Sequence, residues 1–447
     1  MRPFLTLLHR WIGLATAAFL FVAGATGAVI SWDHELDDWL NPDLTHANSS
    51  GPTRPSLELA AEAEARDPRA WATYIPLATE PGKSLTLFVE PRVNPETGRL
   101  YDLGYNQVFL DPVTGAELGR REWGRAWPIT TETLVSFLYK LHYSLHIPTL
   151  WANDRLGYWL MGAVALLWTL DCFVGLYLTL PPRRARRVDQ APAVQRQLAR
   201  GFLSRWAPAW KIKNFGSAYR INFDIHRAFG LWTWTLLLVL AFTAVSLNLY
   251  REIFYPLMSI ISRVTPTPFD ERALAPPDVP IAPRIPMAEA IALGQAEAGR
   301  RGWAEPPGAV FYAARYGIYN LRFFRAGNEH GAAGVGPAEL YLDGADGRLL
   351  GHRQPWKGTA ADIFVQAQFP LHSGRILGLP GRILISAMGL VIAALSVTGV
   401  IIWWKKRAAR LAARRKRLET KSGSECAGGV TRPARSSGPS SNVAWRG

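Results

Sequence analysis

Four stretches of this chain, 11–32, 156–180, 228–250 and 383–404, are apolar almost without interruption, and polar segments of unequal length separate them. Each matches or exceeds the roughly 20 residues that a helix rising about 1.5 Å per residue needs to cross a hydrocarbon core. The pattern predicts four transmembrane helices. In the long segments between them the period changes. Within 33–155, alanine-rich 57–65 reads as a helix, 84–89 and 107–110 as strands, and 111–115 as a turn before a strand at 117–120. Within 251–382 the order recurs: a helix at 287–298, strands at 320–324 and 339–342, a turn at 343–347 and a strand at 348–351. A strand, an Asp-containing turn with Gly, and a second strand make a hairpin. Both segments read as small α+β modules.

The recurrence covers the whole chain. His9-Arg10-Trp11-Ile12-Gly13 opens the first apolar stretch, and His226-Arg227-Ala228-Phe229-Gly230 opens the third. Leu141-His142 and Leu145-His146 precede the second stretch, as Leu371-His372 precedes the fourth. The fold expected is an α-helical membrane protein, a four-transmembrane-helix bundle built as a tandem duplication with two external α+β domains.

Charge sets the orientation. The net charge of +15 over 447 residues is concentrated beside the spans, in Arg183-Arg184-Ala185-Arg186-Arg187 after the second and Lys405-Lys406-Arg407 after the fourth, whereas Asp33, Glu35, Asp37 and Asp38 follow the first. Basic residues stay on the cytoplasmic side. This divides the chain into a cytoplasmic start and first span (1–32), an external segment (33–155), a second span (156–180), a basic cytoplasmic loop (181–227), a third span (228–250), an external segment (251–382), a fourth span (383–404) and a basic, largely disordered cytoplasmic tail (405–447). Both termini are then cytoplasmic, and the basic juxtamembrane helix of the tail is placed to touch anionic lipid. Arginines flanking spans are a membrane signature and exclude a nucleic-acid partner. The first apolar run is longer than the core of about 7–15 residues in a secretion signal, so it reads as an uncleaved anchor.

The cysteines narrow the chemistry. Cys172 lies within a span and Cys426 in the tail, so no disulfide staples the external segments, and there is no Cys-x-x-Cys-His. Covalent haem and four-thiolate iron–sulfur clusters are excluded. Histidine at equivalent membrane edges in both halves gives two pairs at two depths, which suits two noncovalent haems b. His9 and His226 would share one iron across a pseudo-twofold axis. Arg10 and Arg227 are placed to meet propionates, and Gly13 and Gly230 would let a porphyrin approach the backbone. The competing reading is of interfacial histidines and snorkelling arginines. In the second pair His372 is singular, and its partner is His142 or His146, four residues apart on one helical face. A zinc reading of those two lacks a third ligand nearby. Asp171, the one acid within the bilayer core, is read either as part of a proton path or hydrogen bond to a ligand histidine, or as a protonated or paired acid at a helix contact. His34, His46, His330 and His352 have no repeat relation and are assigned to the surface.

Taken together, His-Arg-x-x-Gly at 9–13 and 226–230, Leu-His-x-x-Leu at 141–145, Pro370-Leu371-His372-Ser373-Gly374 and the paired Leu-Asp-x-x-x-Gly hairpins resemble the PepSY-associated transmembrane proteins, among which are inner-membrane ferric-siderophore reductases. The resemblance covers nearly all of the chain up to about 405. It implies a bacterial inner-membrane protein with two haems b and periplasmic PepSY-like domains. The expected activity is passage of electrons from a separate cytoplasmic reductase or membrane quinol to a periplasmic ferric-siderophore or other ferric chelate. No Gly-x-Gly-x-x-Gly unit for a built-in donor is present. The alternatives are a non-catalytic PepSY membrane protein that binds peptides or regulates a protease, and a haem cytochrome with another acceptor.

Overall fold

The computed structural model describes residues 1–151, 153–182, 201–213 and 215–427. Helix α1 (Arg2–Ile30) is followed by the short α2 (Asp33–Leu40), then α3 (Ser56–Arg66), strands β1 (Ala70–Pro76), β2 (Leu85–Pro91), β3 (Gln107–Leu110) and β4 (Glu117–Arg121), helix α4 (Thr131–Ser144) and apolar α5 (Leu156–Thr179). The second half follows the same order with α6 (Ala218–Trp232), α7 (Trp234–Asn248), α8 (Met287–Arg300), β5 (Pro307–Ala313), β6 (Ile318–Phe323), β7 (Ala338–Asp343), β8 (Leu349–Arg353), α9 (Ala360–Ser373) and α10 (Gly378–Ala427). Among the described residues, α1, α5 and α10 are long and apolar enough to cross a membrane. The pair α6 and α7 adds a fourth crossing if it counts as one span.

That pair divides the single third span expected over 228–250, because α6 and α7 meet at a 71° bend. At the break, Thr233 leaves helical geometry and its hydroxyl donates to the Phe229 carbonyl at 2.7 Å. Such back-bonding to the residue four earlier bends helices. The basic juxtamembrane helix expected after the fourth span is continuous with it, α10 running on through Ala427. The end of the tail, 428–447, and residues 183–200 of the basic loop lie outside the described residues.

A larger correction concerns the two external modules, which share one antiparallel sheet ordered β4-β3-β2-β1-β5-β6-β7-β8. The join is the pairing of β1 with β5, Tyr74 opposite Phe311, Ile75 opposite Val310 and Pro76 opposite Ala309. Each module alone would leave that strand as a raw edge, and pairing removes both edges. Helices α3 and α8 cover the sheet, placing Leu59, Ala60, Ala290 and Ala298 in one core with Leu87, Leu110, Val310, Tyr312 and Leu340. The two hairpin turns match. Gly115 and Gly347 take φ of +76° and +74°, which glycine accommodates without strain, and each donates its N–H at 2.9 Å to the carbonyl of Asp111 or Asp343.

In the bundle the helices pack across halves, α1 against α10 and α7 against α5. Glycine sets the first contact, since a Cβ on Gly24 would stand 2.6 Å from the Gly389 carbonyl oxygen. Small residues let membrane helices approach this closely. Near the sheet, two arginine clamps tie the halves together. Arg382 donates to the Ser31 carbonyl and to Glu35 at 2.7 Å, and Arg155 donates to the Asn248 carbonyl at 3.4 Å and to Glu252 at 2.8 Å. The hydrogen bond and charge of Arg382 hold the Glu35 carboxyl down at about 2, so it stays ionised through the physiological range.

Gly389→Val should lower the thermal midpoint in detergent, with a loss of about 1–3 kcal/mol, because the new side chain meets rigid backbone of α1. Gly299→Ala on α8, where a Cβ meets nothing within 4 Å, should leave the midpoint unchanged or raise it. Equal midpoints for Gly389→Val and the parent protein would refute the packing argument.

Candidate functional site

Two pairs of imidazoles face one another across the bundle, each with one ring from either half. His9 on α1 and His226 on α6 have ring centroids 6.3 Å apart with planes at 56°. His142 near the end of α4 and His372 near the end of α9 are 6.0 Å apart with planes at 60°. Two metal–imidazole bonds of about 2 Å each, together with the two half-rings, span about 6 Å. Either gap therefore suits one metal ion held from both sides.

The hydrogen bonds fix which ring nitrogen is free. His9 Nδ1 lies 2.9 Å from both carboxylate oxygens of Asp171, and His142 Nδ1 lies 2.9 Å from the Ala23 carbonyl, so both must donate. Thr398 gives its hydroxyl proton to the Ala394 carbonyl and therefore accepts from His226 Nδ1 at 2.9 Å. Thr243 gives its proton to the Val239 carbonyl and accepts from His372 Nδ1 at 2.9 Å. All four rings thus carry hydrogen on Nδ1 and keep the Nε2 lone pair for a ligand. Metal-bound histidines commonly have this arrangement, the second nitrogen fixing tautomer and orientation.

The pairs sit at different levels. The His142 ring touches α1 at Ala23, Thr26 and Gly27, 14 to 18 residues beyond His9, or roughly 21–27 Å along the helix. Gly27 makes room for it, since a Cβ there would lie 2.9 Å from His142 Cε1. His142 and His372 line a cavity of about 330 Å³ with Trp168 and Ile392. That volume lies within the usual range of cofactor pockets. At Gly13 and Gly230 an added Cβ meets nothing within 4 Å, so open space adjoins both. The donors, spacing and glycines together fit a flat metal-bearing group that could be held between the opposed imidazoles.

The structure separates His142 from His146. Helix α4 ends at Ser144, and Leu145 and His146 turn into the left-handed region at φ 55° and 53°, so the shared helical face is broken. His146 Nε2 donates to the Phe137 carbonyl at 2.9 Å and its ring stacks on Phe137. His142 alone of the two meets His372. Arg227 is also otherwise engaged, donating to the carbonyls of Pro208 and Ala209 and to Asp224. Arg10 differs, for its buried Nε has no hydrogen-bond partner. Asp171 is hydrogen-bonded to His9 across the contact of α1 with α5, which is common to the reading of a hydrogen bond to a ligand histidine and to that of a paired acid at a helix contact.

Sequence reasoning missed Thr26, Thr243 and Thr398, although the spacing held a signal. Thr26 and Thr243 are 217 residues apart, as are His9 and His226. It also missed Asp224, fully buried between Arg220 and Arg227. His34 and His330, assigned separately to the surface, stack at 5.2 Å. His46 sits beside Lys83, and His352 beside Trp303.

Compared with known proteins, the chain matches the family described as the PepSY-associated TM region over residues 6–406. No curated protein matches it.

Proposed function

The chain belongs to the PepSY-associated transmembrane family, and from that premise we propose that it is a di-haem b oxidoreductase of the bacterial inner membrane, built by tandem duplication, that reduces a periplasmic ferric-siderophore or similar ferric chelate. The observation that carries this reading is the two opposed histidine pairs with every Nδ1 proton already committed. His9 and His226 would hold one haem near the cytoplasmic side, and His142 and His372 another near the periplasm. When bound, haem supplies one-electron redox chemistry.

The residues of the chain do the rest. Asp171, Thr398, the Ala23 carbonyl and Thr243 accept from Nδ1 and so orient the four imidazoles. The bend at Thr233 sets α6, and with it His226, at an angle to α7, which carries Thr243 at the other level. The charge of Lys405 and Lys406, where α10 leaves the bundle, supports cytoplasmic termini and a periplasmic joined sheet, and the family supports reading the two halves of that sheet as PepSY-type domains. A ferric chelate bound below that sheet gains an electron and loosens, because hard oxygen donors hold ferrous iron less tightly. The electron donor is a separate cytoplasmic reductase or quinol.

Purified protein should show two haems b per chain in a pyridine haemochrome assay. Proteoliposomes supplied with a donor on the cytoplasmic face should reduce an external ferric chelate. Colourless protein from haem-sufficient cells would instead favour a non-catalytic PepSY membrane protein. Haem without chelate reduction would favour a cytochrome with another acceptor.

A further inference from the structure

Beside the His142–His372 cavity lies a second one, of about 440 Å³, lined by His34 from the first half and Glu329 and His330 from the second. Arg375 lines both cavities, so the two adjoin. One ligand atom from each of His34, Glu329 and His330 falls within 4.8 Å of the others. A bound ion needs its ligand atoms about 3–4 Å apart, given bonds near 2 Å, so the set is within about 1 Å of that spacing. His330 Nε2 is already 3.7 Å from Glu329.

We propose that His34, Glu329 and His330 form a binding site for a divalent first-row transition ion, and that it receives the ferrous ion released at the neighbouring reduction site. Two imidazoles and one carboxylate are a donor set that suits ferrous iron and leaves coordination positions open. Such a set does not hold ferric iron in competition with an oxygen-rich chelator, so it discriminates for the reduced product. Arg375 now lies 2.7 Å from the ring nitrogens of His330 and 3.4 Å from Asp33. An arriving cation would repel it, and Asp33 is in place to take it over. The site is single. The residue 217 positions beyond His34 is Arg251, so the repeat provides no second copy.

The role in iron release rests on the reductase reading, whereas ion binding does not. Full-length protein without a polyhistidine tag, kept reduced and anaerobic, is dialysed against radiolabelled ferrous ion, a label that haem iron does not carry. The expected result is one labelled ion per chain. His34→Ala and His330→Ala should each weaken binding by about tenfold or more, Glu329→Gln should act in the same direction, and the Soret spectrum should be unchanged. No saturable binding in the parent protein, or equal binding in the His34→Ala and His330→Ala variants, overturns the site. Colourless protein that still binds the ion at these residues keeps the site and removes the reductase reading.

Discussion

His142→Ala is expected to reduce the haem content from two per chain to one, while His146→Asn leaves two. The difference follows from where α4 stops. His142 lies in its last turn, held by the Ala23 carbonyl and 6.0 Å from His372. His146 lies beyond a left-handed Leu145, with its Nε2 proton given to Phe137. Asparagine suits the comparison because it tolerates φ near +53° better than alanine. His372→Ala should reproduce the His142→Ala spectrum, since each removes one of two axial donors. Reduction of a ferric chelate in proteoliposomes should fall by about 100-fold or more in both. The bundle should persist, because neither change touches the Gly24–Gly389 contact or the arginine clamps. Two six-coordinate haems in His142→Ala, or one in His146→Asn, would reverse the assignment.

The same pair shows where the sequence stops being legible. Period and repeat place histidines at two levels, because burying an ionisable side chain beside apolar residues is costly unless it is used. They do not show that a helix ends between two histidines four residues apart, since Leu145 is an ordinary helix former and carries no glycine signal. Thr26 and Thr243 were readable only through the spacing of 217 residues, and Thr398 not even so, since the position 217 before it is Pro181. A hydroxyl in a membrane helix otherwise looks like any i−4 back-bonding residue.

The sheet was legible in its outer hairpins and not at its centre. Strands β3 and β4, and β7 and β8, are joined by the Asp-Gly turns at 111–115 and 343–347, which announce them. Strands β1 and β5 have no such frame, and their burial does not alternate cleanly: within β1, Ala72 and Thr73 are buried in succession, and within β5 Gly308 to Val310 are. Strands covered on both faces lose the period-two signature. These are the strands that join the modules, so reading two domains instead of one sheet was the consequence. The His34–Glu329–His330 cluster was hidden for a related reason, its members coming from opposite halves and brought together only by that joining.

Asp171→Asn should raise the midpoint potential of the His9–His226 site by about 90 mV while leaving the other site in place. Of the four imidazoles, only His9 has a carboxylate as its Nδ1 acceptor, while the others have Thr398, Thr243, or the Ala23 carbonyl with Thr26. An ionised carboxylate there would stabilise the ferric state of a bound haem. At an effective dielectric near 20 and a separation of several Å it is worth on the order of 2 kcal/mol, and at 59 mV per factor of ten this is about 90 mV for one electron. Asparagine keeps the shape and an oxygen acceptor, so the haem should remain and only the charge is lost. On the di-haem reading the Asp171 charge would lower the potential of the His9–His226 site, the direction that favours electron flow from it to the other site. Chelate reduction should slow in Asp171→Asn while haem content stays at two per chain. Thr398→Val, which removes an acceptor without removing a charge, should loosen the haem with a much smaller shift in potential. Redox titration of the two variants side by side decides the matter: unchanged potential in Asp171→Asn, or equal shifts in both, would mean that Asp171 positions His9 and does nothing more.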